Sequence, residues 1–304
     1  MQTAEAVVRA LRARGDLWQR VPGLTALRGP ARALHSALAH EFALLAAEET
    51  SDDWLVPSGV SLDTLARADY FASFPHWLTV AGHLSEEPEE LEAIARAERP
   101  AQAAAESGAQ VAAALAPAVC YHVYDALADR TVGDETIVTA EATCWRHEGT
   151  RVAPLARGWA FSMREVVCIG SARTVRDFLV RSQVRVVALA ECLGLDALVV
   201  EATDPFFAPT ARGKALLQAV KGLKHELLVP HGPTERLAAA SFNNHGAFFG
   251  EAFAISLPDG QPAHTACIAF GVERWLLAML CAHGTEPAHW PPLPGAFALA
   301  PEER

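Results

Sequence analysis

Apolar positions along this chain repeat with two different periods, and the changes between them outline its elements. The first 50 residues are rich in Ala, Leu and Arg at helical spacing and are broken at Pro22 to Gly23 and Gly29 to Pro30, which predicts two helices. They show no candidate chemistry. Between residues 55 and 84, Pro57, Phe74 and Pro75 interrupt the apolar stretches, and extended or turn structure is expected there. From Ser85, SEEPEELEAIARAERPAQAAA predicts a helix: Ser85 can cap it, acids occupy its first turns, and Pro100 kinks or ends it.

Residues 115 to 170 change to a period of two, the signature of strands separated by turns. In EATCWRHE, alternation puts Cys144, Arg146 and Glu148 on one strand face. In WAFSMREVVCIG it does the same for Trp159, Phe161, Met163 and Glu165. The GTRVAPLARG segment between them, bounded by Gly149 and Gly158, suits a long hairpin connection. Residues 174 to 193 read as a helix running into Gly194 as its C-cap. DALVVEATD reads as a strand and residues 211 to 224 as a helix, followed by further strands.

The closing HTACIAFGVERWLLAMLCAHG is a strand, a glycine turn and a helix whose stripe of Val272, Trp275, Leu276, Met279 and Leu280 buries one face. Arg274 stands off that stripe. An arginine in a first helical turn opposes the macrodipole at a cost of roughly 0.3 to 1 kcal/mol unless an anion is near. Two readings remain open for it, a local pair with Glu273 and a phosphate clamp.

Composition narrows the class. Of 304 residues, 51% are hydrophobic and 20% charged, enough to bury a substantial core. The net charge of -11 argues against broad nucleic-acid binding, which relies on clustered cations. The six cysteines form no C-x-x-C pair and no apolar leader opens the chain, so reduced thiols and a cytoplasmic location are expected. Apolar runs end well short of the roughly 20 residues a bilayer span needs, and no membrane association is expected.

Several segments, taken in order, resemble motifs of a known family. T-C-W-R-H-E (143 to 148), a long loop, F-S-M-R-E (161 to 165) and G-V-E-R (271 to 274) look like motifs 2 and 3 of class II aminoacyl-tRNA synthetases. LAPAVC (115 to 120), KHELLVP (224 to 230), SFNNH (241 to 245) and HTAC (264 to 267) resemble the seryl branch, and SFPH (73 to 76) extends the similarity, which runs from about residue 55 to 290. The nearest variant is the zinc-bearing, methanogen-type seryl-tRNA synthetase, with its short bacterial relatives, the amino acid:carrier protein ligases. The resemblance implies an α+β fold, an antiparallel sheet flanked by helices. Residues 1 to 304 then form one catalytic domain, with 1 to 50 a helical N-terminal extension.

What the resemblance implies about chemistry is specific. Cys120, Glu165 and Cys267 match the three zinc ligands, leaving one exchangeable position for the α-amine of an amino acid. Read alone, they are two ordinary buried thiols and a surface acid. Arg146 matches the arginine on the α-phosphate of ATP, and Arg274 would clamp the far side of the nucleotide; these are the candidate catalytic residues. Glu148 would hold the adenine amino group, Phe161 would stack on the ring, and Glu226 would help to hold magnesium and ATP. Without the family, Arg146 and Glu148 make a surface cross-strand pair. Leu237 to Ala240 occupy the stretch where the seryl pattern has a second acid.

The implied reaction is ATP-dependent activation of a small amino acid, such as glycine or alanine, as an aminoacyl-adenylate. The acceptor would be the phosphopantetheine thiol of an acyl or peptidyl carrier protein, since residues 1 to 50 are too short and too weakly basic for a tRNA-binding appendage. Transfer to a tRNA or a small molecule, or a non-catalytic regulatory role, are the alternatives. Arg212, Lys214, Lys221 and Lys224, with no acid among residues 211 to 224, form a candidate docking surface for an acidic carrier protein. Class II enzymes imply a homodimer built on motif 1, here LVPSGVSLDTLARADYF (55 to 71).

Overall fold

A computed structural model describes residues 1–108, 110–207 and 222–295. Helix α1 (Ala4–Arg14) is followed by a hairpin of β1 (Leu17–Val21) and β2 (Leu24–Leu27), then by α2 (Gly29–Ala47). Strands β3 (Asp53–Leu55) and β4 (Gly59–Val60), helices α3 (Leu62–Arg67) and α4 (Tyr70–Ser73), and a 3-10 turn at Pro75–Trp77 lead to β5 (Thr79–His83). Helices α5 (Pro88–Arg96) and α6 (Pro100–Glu106), strand β6 (Gln110–Leu115) and helix α7 (Cys120–Ala126) come next. Strands β7 (Thr136–Trp145) and β8 (Ala160–Gly170) form the central hairpin, and α8 (Ala172–Cys192) follows. The chain closes through β9 (Leu198–Glu201), β10 (Lys224–Pro230), β11 (Arg236–Gly246), α9 (Phe248–Ala252), β12 (His264–Gly271) and α10 (Val272–His283).

Seven strands make one sheet in the order β3-β7-β8-β12-β11-β10-β9. Every neighbouring pair is antiparallel except β3 on β7. This is the α+β, class II synthetase-like arrangement expected from the motifs. A smaller sheet, β4-β6-β5, stands beside it.

Side-chain alternation divides the core at the large sheet. On β12, Ala266, Ile268 and Phe270 join the apolar cluster built with α2, α8 and α10, while Cys267 and Ala269 face the other side. Phe42 of α2 is fully buried, stacked on Phe270 at 4.7 Å and tilted against Trp275 at 5.3 Å. The whole predicted stripe of α10 is buried.

Several sequence expectations change in detail. The two N-terminal helices are present, but a β-hairpin that the sequence pattern does not predict separates them. Gly23 holds φ +83°, and a Cβ there would meet the Trp159 backbone at 2.7 Å, so the hairpin tip is seated against the β7–β8 loop. Residues 55 to 84 contain α3 and α4 as well as strands. The helix expected from Ser85 is two helices, with Glu87 in the cap position of the first and Pro100 opening the second. The helix expected over 211 to 224 lies mostly outside the described residues. Its last residue, Lys224, instead opens β10 and is buried. Of the described helices, none is long and apolar enough to cross a membrane.

Phe42→Ala is expected to destabilise the protein by about 3–5 kcal/mol through cavity formation, read as a lowered urea midpoint with little change in slope. An unchanged midpoint would show that the cluster behind the sheet does not hold it.

Candidate active site

One cavity of about 530 Å³ opens on the face of the large sheet opposite α8 and α10, and it is lined by Cys120, Glu165, Cys267, Arg146, Glu148, Phe161, Glu226 and Arg274. All eight residues singled out from the sequence therefore converge on one space.

The deep end is built by strand register. Glu165 on β8 stands opposite Ala269, and Cys267 on β12 opposite Val167, so the two are diagonal neighbours on one face. Cys120 arrives from another direction as the first residue of α7, and its backbone N–H donates to Glu165 Oε2. The thiol of Cys267 lies 3.5 Å from Glu165 Oε1. The three potential ligand atoms fall within 4.8 Å of one another, and all three residues are buried.

That donor set fits a thiophilic divalent cation. Bonds of about 2.0–2.3 Å to one tetrahedral zinc imply ligand spacings of about 3.3–3.8 Å, and the Cys267–Glu165 pair lies at 3.5 Å. Hydrogen bonding to Cys267 and burial push the Cys120 thiol well up, and burial raises the Glu165 carboxyl. Two thiols and an acid crowded beyond water are costly, and a cation would relieve that by taking all three deprotonated.

A surrounding layer fixes these groups. Asn243 Nδ2 donates to Cys267 Sγ at 3.4 Å and to Ser241 Oγ at 3.1 Å. Burial lowers His245 to about 4, so it is neutral; its Nδ1 lies 3.3 Å from Tyr124 Oη and 3.2 Å from Thr265 Oγ1, and its Nε2 is 3.9 Å from Cys267 Sγ.

The other end of the cavity is cationic. The Arg146 guanidinium lies between Trp77 at 5.2 Å and Phe161 at 5.5 Å, and its Nε donates to the Pro117 carbonyl at 2.8 Å. Arg274 donates from Nε to the Ala156 carbonyl at 2.9 Å and from Nη1 to the Ala238 carbonyl at 2.8 Å. Neither makes an ion pair among the described residues. Burial brings Arg274 down to about 10, helped by the like charges of Arg146 and Arg157. The local pair of Arg274 with Glu273 is not formed: both Glu273 oxygens accept the Ser162 N–H at 2.9 Å, and Oε1 lies 3.2 Å from His35 Nε2.

Glu148 reaches the cavity for a different reason than strand alternation. β7 ends at Trp145, and Glu148, with φ −89° and ψ 7°, begins the 3-10 turn Gly149–Arg151. Its buried carboxylate accepts from Arg157 Nη1 at 2.8 Å. Glu226 lies 3.3 Å from Lys224 Nζ, which also pairs with Asp204. A second acid thus stands near Glu226, supplied by the segment after β9. Thr25 and Leu27 of the hairpin also line the cavity, a contribution the N-terminal sequence gave no chemical sign of.

The fold is that of a class II synthetase-like catalytic domain. The chain is 38% identical over 240 residues to "Amino acid--[acyl-carrier-protein] ligase 1" of Bradyrhizobium diazoefficiens, covering 77% of this chain and 72% of that one. It is 40% identical over 233 residues to ligase 2 of the same organism, covering 75% and 68%. The chain belongs to the amino acid–carrier protein ligase family. Among solved structures, M. kandleri SerRS in complex with A. aeolicus tRNASec superposes with a TM-score of 0.84 at 23% identity, over 96% of this chain and 60% of that one. No family model matches the chain.

Elemental analysis of purified protein is expected to find about one equivalent of a thiophilic divalent metal per chain, largely lost in Cys267→Ala. Wild-type protein that neither carries nor takes up such a metal would refute the ligand assignment.

Proposed function

We propose that this chain activates a small amino acid with ATP and passes it to the phosphopantetheine thiol of a carrier protein. The observation that carries this is the pair Arg146 and Arg274, two guanidiniums without acidic partners among the described residues, facing one cavity that ends in a cysteine–glutamate–cysteine cluster. Family membership supports the same reading, as both Bradyrhizobium relatives bear the ligase name.

In the first half-reaction a carboxylate oxygen of the amino acid bonds to the α-phosphorus. The bond from that phosphorus to the bridging oxygen breaks, and pyrophosphate leaves with the electron pair. Arg146 is positioned to neutralise charge on the α-phosphate, and Arg274 does so on the far side of the nucleotide. Phe161 offers a ring face for adenine, while Glu148, oriented by Arg157, accepts from its amino group. In the second half-reaction the acceptor sulfur attacks the acyl carbon as its proton leaves, and the acyl–oxygen bond to AMP breaks.

Cys120, Glu165 and Cys267 would hold a zinc ion, which when bound would supply a Lewis-acidic position for the α-amine. Asn243 and His245 keep Cys267 oriented, the role that partners behind the ligands commonly fill. Glu226, with Asp204 beside it, provides carboxylates for magnesium, which is usually bound by one or two acids and the substrate phosphates. Lys224 would have to give way for that contact.

The same reading treats residues 1 to 304 as one catalytic unit. It makes the protein cytoplasmic and homodimeric through residues 55 to 71, with no nucleic-acid partner. Of the basic residues expected to dock the acidic carrier protein, Lys224 is buried and paired with Asp204 and Glu226, which leaves Arg212, Lys214 and Lys221, outside the described residues, for that role.

Amino-acid-dependent exchange of pyrophosphate into ATP tests the activation step. Exchange should occur with a small amino acid and fall about 10²–10³-fold in Arg146→Ala. No exchange with any of the twenty amino acids, by protein shown to contain zinc, would sink the assignment. The double charge reversal Lys214→Glu with Lys221→Glu should weaken thioester loading while sparing exchange; equal loading by both proteins would remove this surface from the interaction.

A further inference from the structure

A residue of the N-terminal segment, where the sequence shows no chemistry, is tied to the wall of the cavity. His35 Nε2 lies 3.2 Å from Glu273 Oε1, and Glu273 lines the cavity beside Arg274. Both Glu273 oxygens accept the Ser162 N–H at 2.9 Å. A carboxylate offers acceptors only, so His35 is the donor in its contact. The two side chains are 14% and 18% exposed, which leaves little water to compete for either.

The carboxylate stands where a sheet ladder runs out. Pairing of β8 with β12 ends at Met163 opposite Gly271, and Ser162 is the next residue of β8. Its N–H has no strand carbonyl on that side, and a backbone donor at such a place needs another acceptor. Glu273, in the first turn of the helix that continues from β12, provides it. One carboxylate thereby joins the strand that carries Phe161, one residue before Ser162, to the helix that carries Arg274, one residue after Glu273. Phe161 and Arg274 both line the cavity.

His35 comes from a rigid support. It lies seven residues before Phe42 on α2, two turns along the same face. Phe42 stacks on Phe270 of β12 and packs against Trp275 of α10, so α2 is fixed to the elements on either side of Glu273.

We propose that His35 is a positioning residue for the nucleotide. By donating to Glu273 it fixes the carboxylate on the Ser162 N–H, and that clip sets the separation of the Phe161 ring and the Arg274 guanidinium. A glutamate held through one amide keeps torsional freedom that a second donor from α2 removes. The proposal rests on the activation reaction, in which Phe161 and Arg274 touch ATP; His35 touches no substrate and acts through Glu273. Side chains that contact a reactant need such support, because small displacements of the contacting groups cost binding and rate.

His35→Phe keeps a ring in the same space and removes the donor, whereas His35→Gln offers an amide N–H to the same oxygen. In direct titration the Kd of ATP should rise about 3- to 10-fold in His35→Phe, the effect of one hydrogen bond, and be restored in His35→Gln. KM for glycine and for L-alanine in pyrophosphate exchange, at saturating ATP, should be equal in all three proteins. Melting temperatures check folding, and His35→Ala replaces His35→Phe as the donor-free protein if the phenyl ring is not accommodated. Unchanged ATP affinity in the donor-free protein, or equal weakening in His35→Gln, would overturn the role. A parallel rise in amino-acid KM would overturn it as well, since it would mark general loosening of the fold. Absence of exchange by wild-type protein with any of the twenty amino acids would remove the activation reaction, a result on which the ATP titration does not depend.

Discussion

A carboxylate buried in the middle of a β-sheet is the constraint around which this protein is arranged. Glu165 is 2% exposed on a central strand, where an isolated charge would be prohibitive. Its tolerance depends on contacts that reach in from three other elements. The Cys120 N–H from the start of α7 and the Cys267 thiol from β12 approach its two oxygens, while Thr139 Oγ1 of β7 donates to its backbone carbonyl. Removing α7 or β12 would strand the acid, so the packing of α7 against the sheet and the chemistry of the deep end are one requirement.

The same strands serve both stability and chemistry because alternation separates the two tasks. On β8, Val166 and Cys168 enter the apolar cluster behind the sheet, whereas Phe161, Met163 and Glu165 face the cavity. Behind the sheet, Phe42, Phe178 and Trp275 are fully buried without polar compromise. In front, the structure retains costs: a phenol at Tyr70 and an indole N–H at Trp77 with no hydrogen-bond partner among the described residues, and two arginines facing one space. Such concentrations of unmet polar demand are characteristic of sites that complete themselves with a ligand.

What was legible in the sequence follows from how local each signal is. Period-two alternation identified the cavity-facing side of β8, and the apolar stripe of α10 identified its buried face, because both depend only on spacing along one element. Convergence of Cys120, Glu165 and Cys267 was legible only through the ordered motifs, since spacings of 45 and 102 residues carry no geometric information. The Glu148 expectation reached the right cavity by an incorrect route, as β7 ends three residues earlier and a 3-10 turn delivers the side chain. The β1–β2 hairpin was hidden because Leu17–Val21 and Leu24–Leu27 are too short to show a period against the helices flanking them. Asp204 beside Glu226 was hidden for a different reason: it ends the DALVVEATD segment read as a strand, beyond the last paired residue Glu201, and only tertiary approach through Lys224 brings it near Glu226.

The cavity is electrically polar along its length, and that polarity suits a zwitterion. One end gathers two cysteines and a carboxyl; Arg146 and Arg274 also line the cavity, in a chain whose net charge is -11. Field strength inside such a space exceeds that in water because the walls are apolar and the dielectric is low. A free amino acid entering it experiences a torque as well as an attraction, its carboxylate drawn toward the guanidiniums and its ammonium away from them. Orientation would then precede any contact at the deep end. The amine must lose its proton to bind a cation there, and that loss is favoured where arginines raise the local positive potential. A cationic end and a ligand cluster lining one cavity would therefore assist each other: the arginines would draw a carboxylate and ease deprotonation of an amine at the cluster.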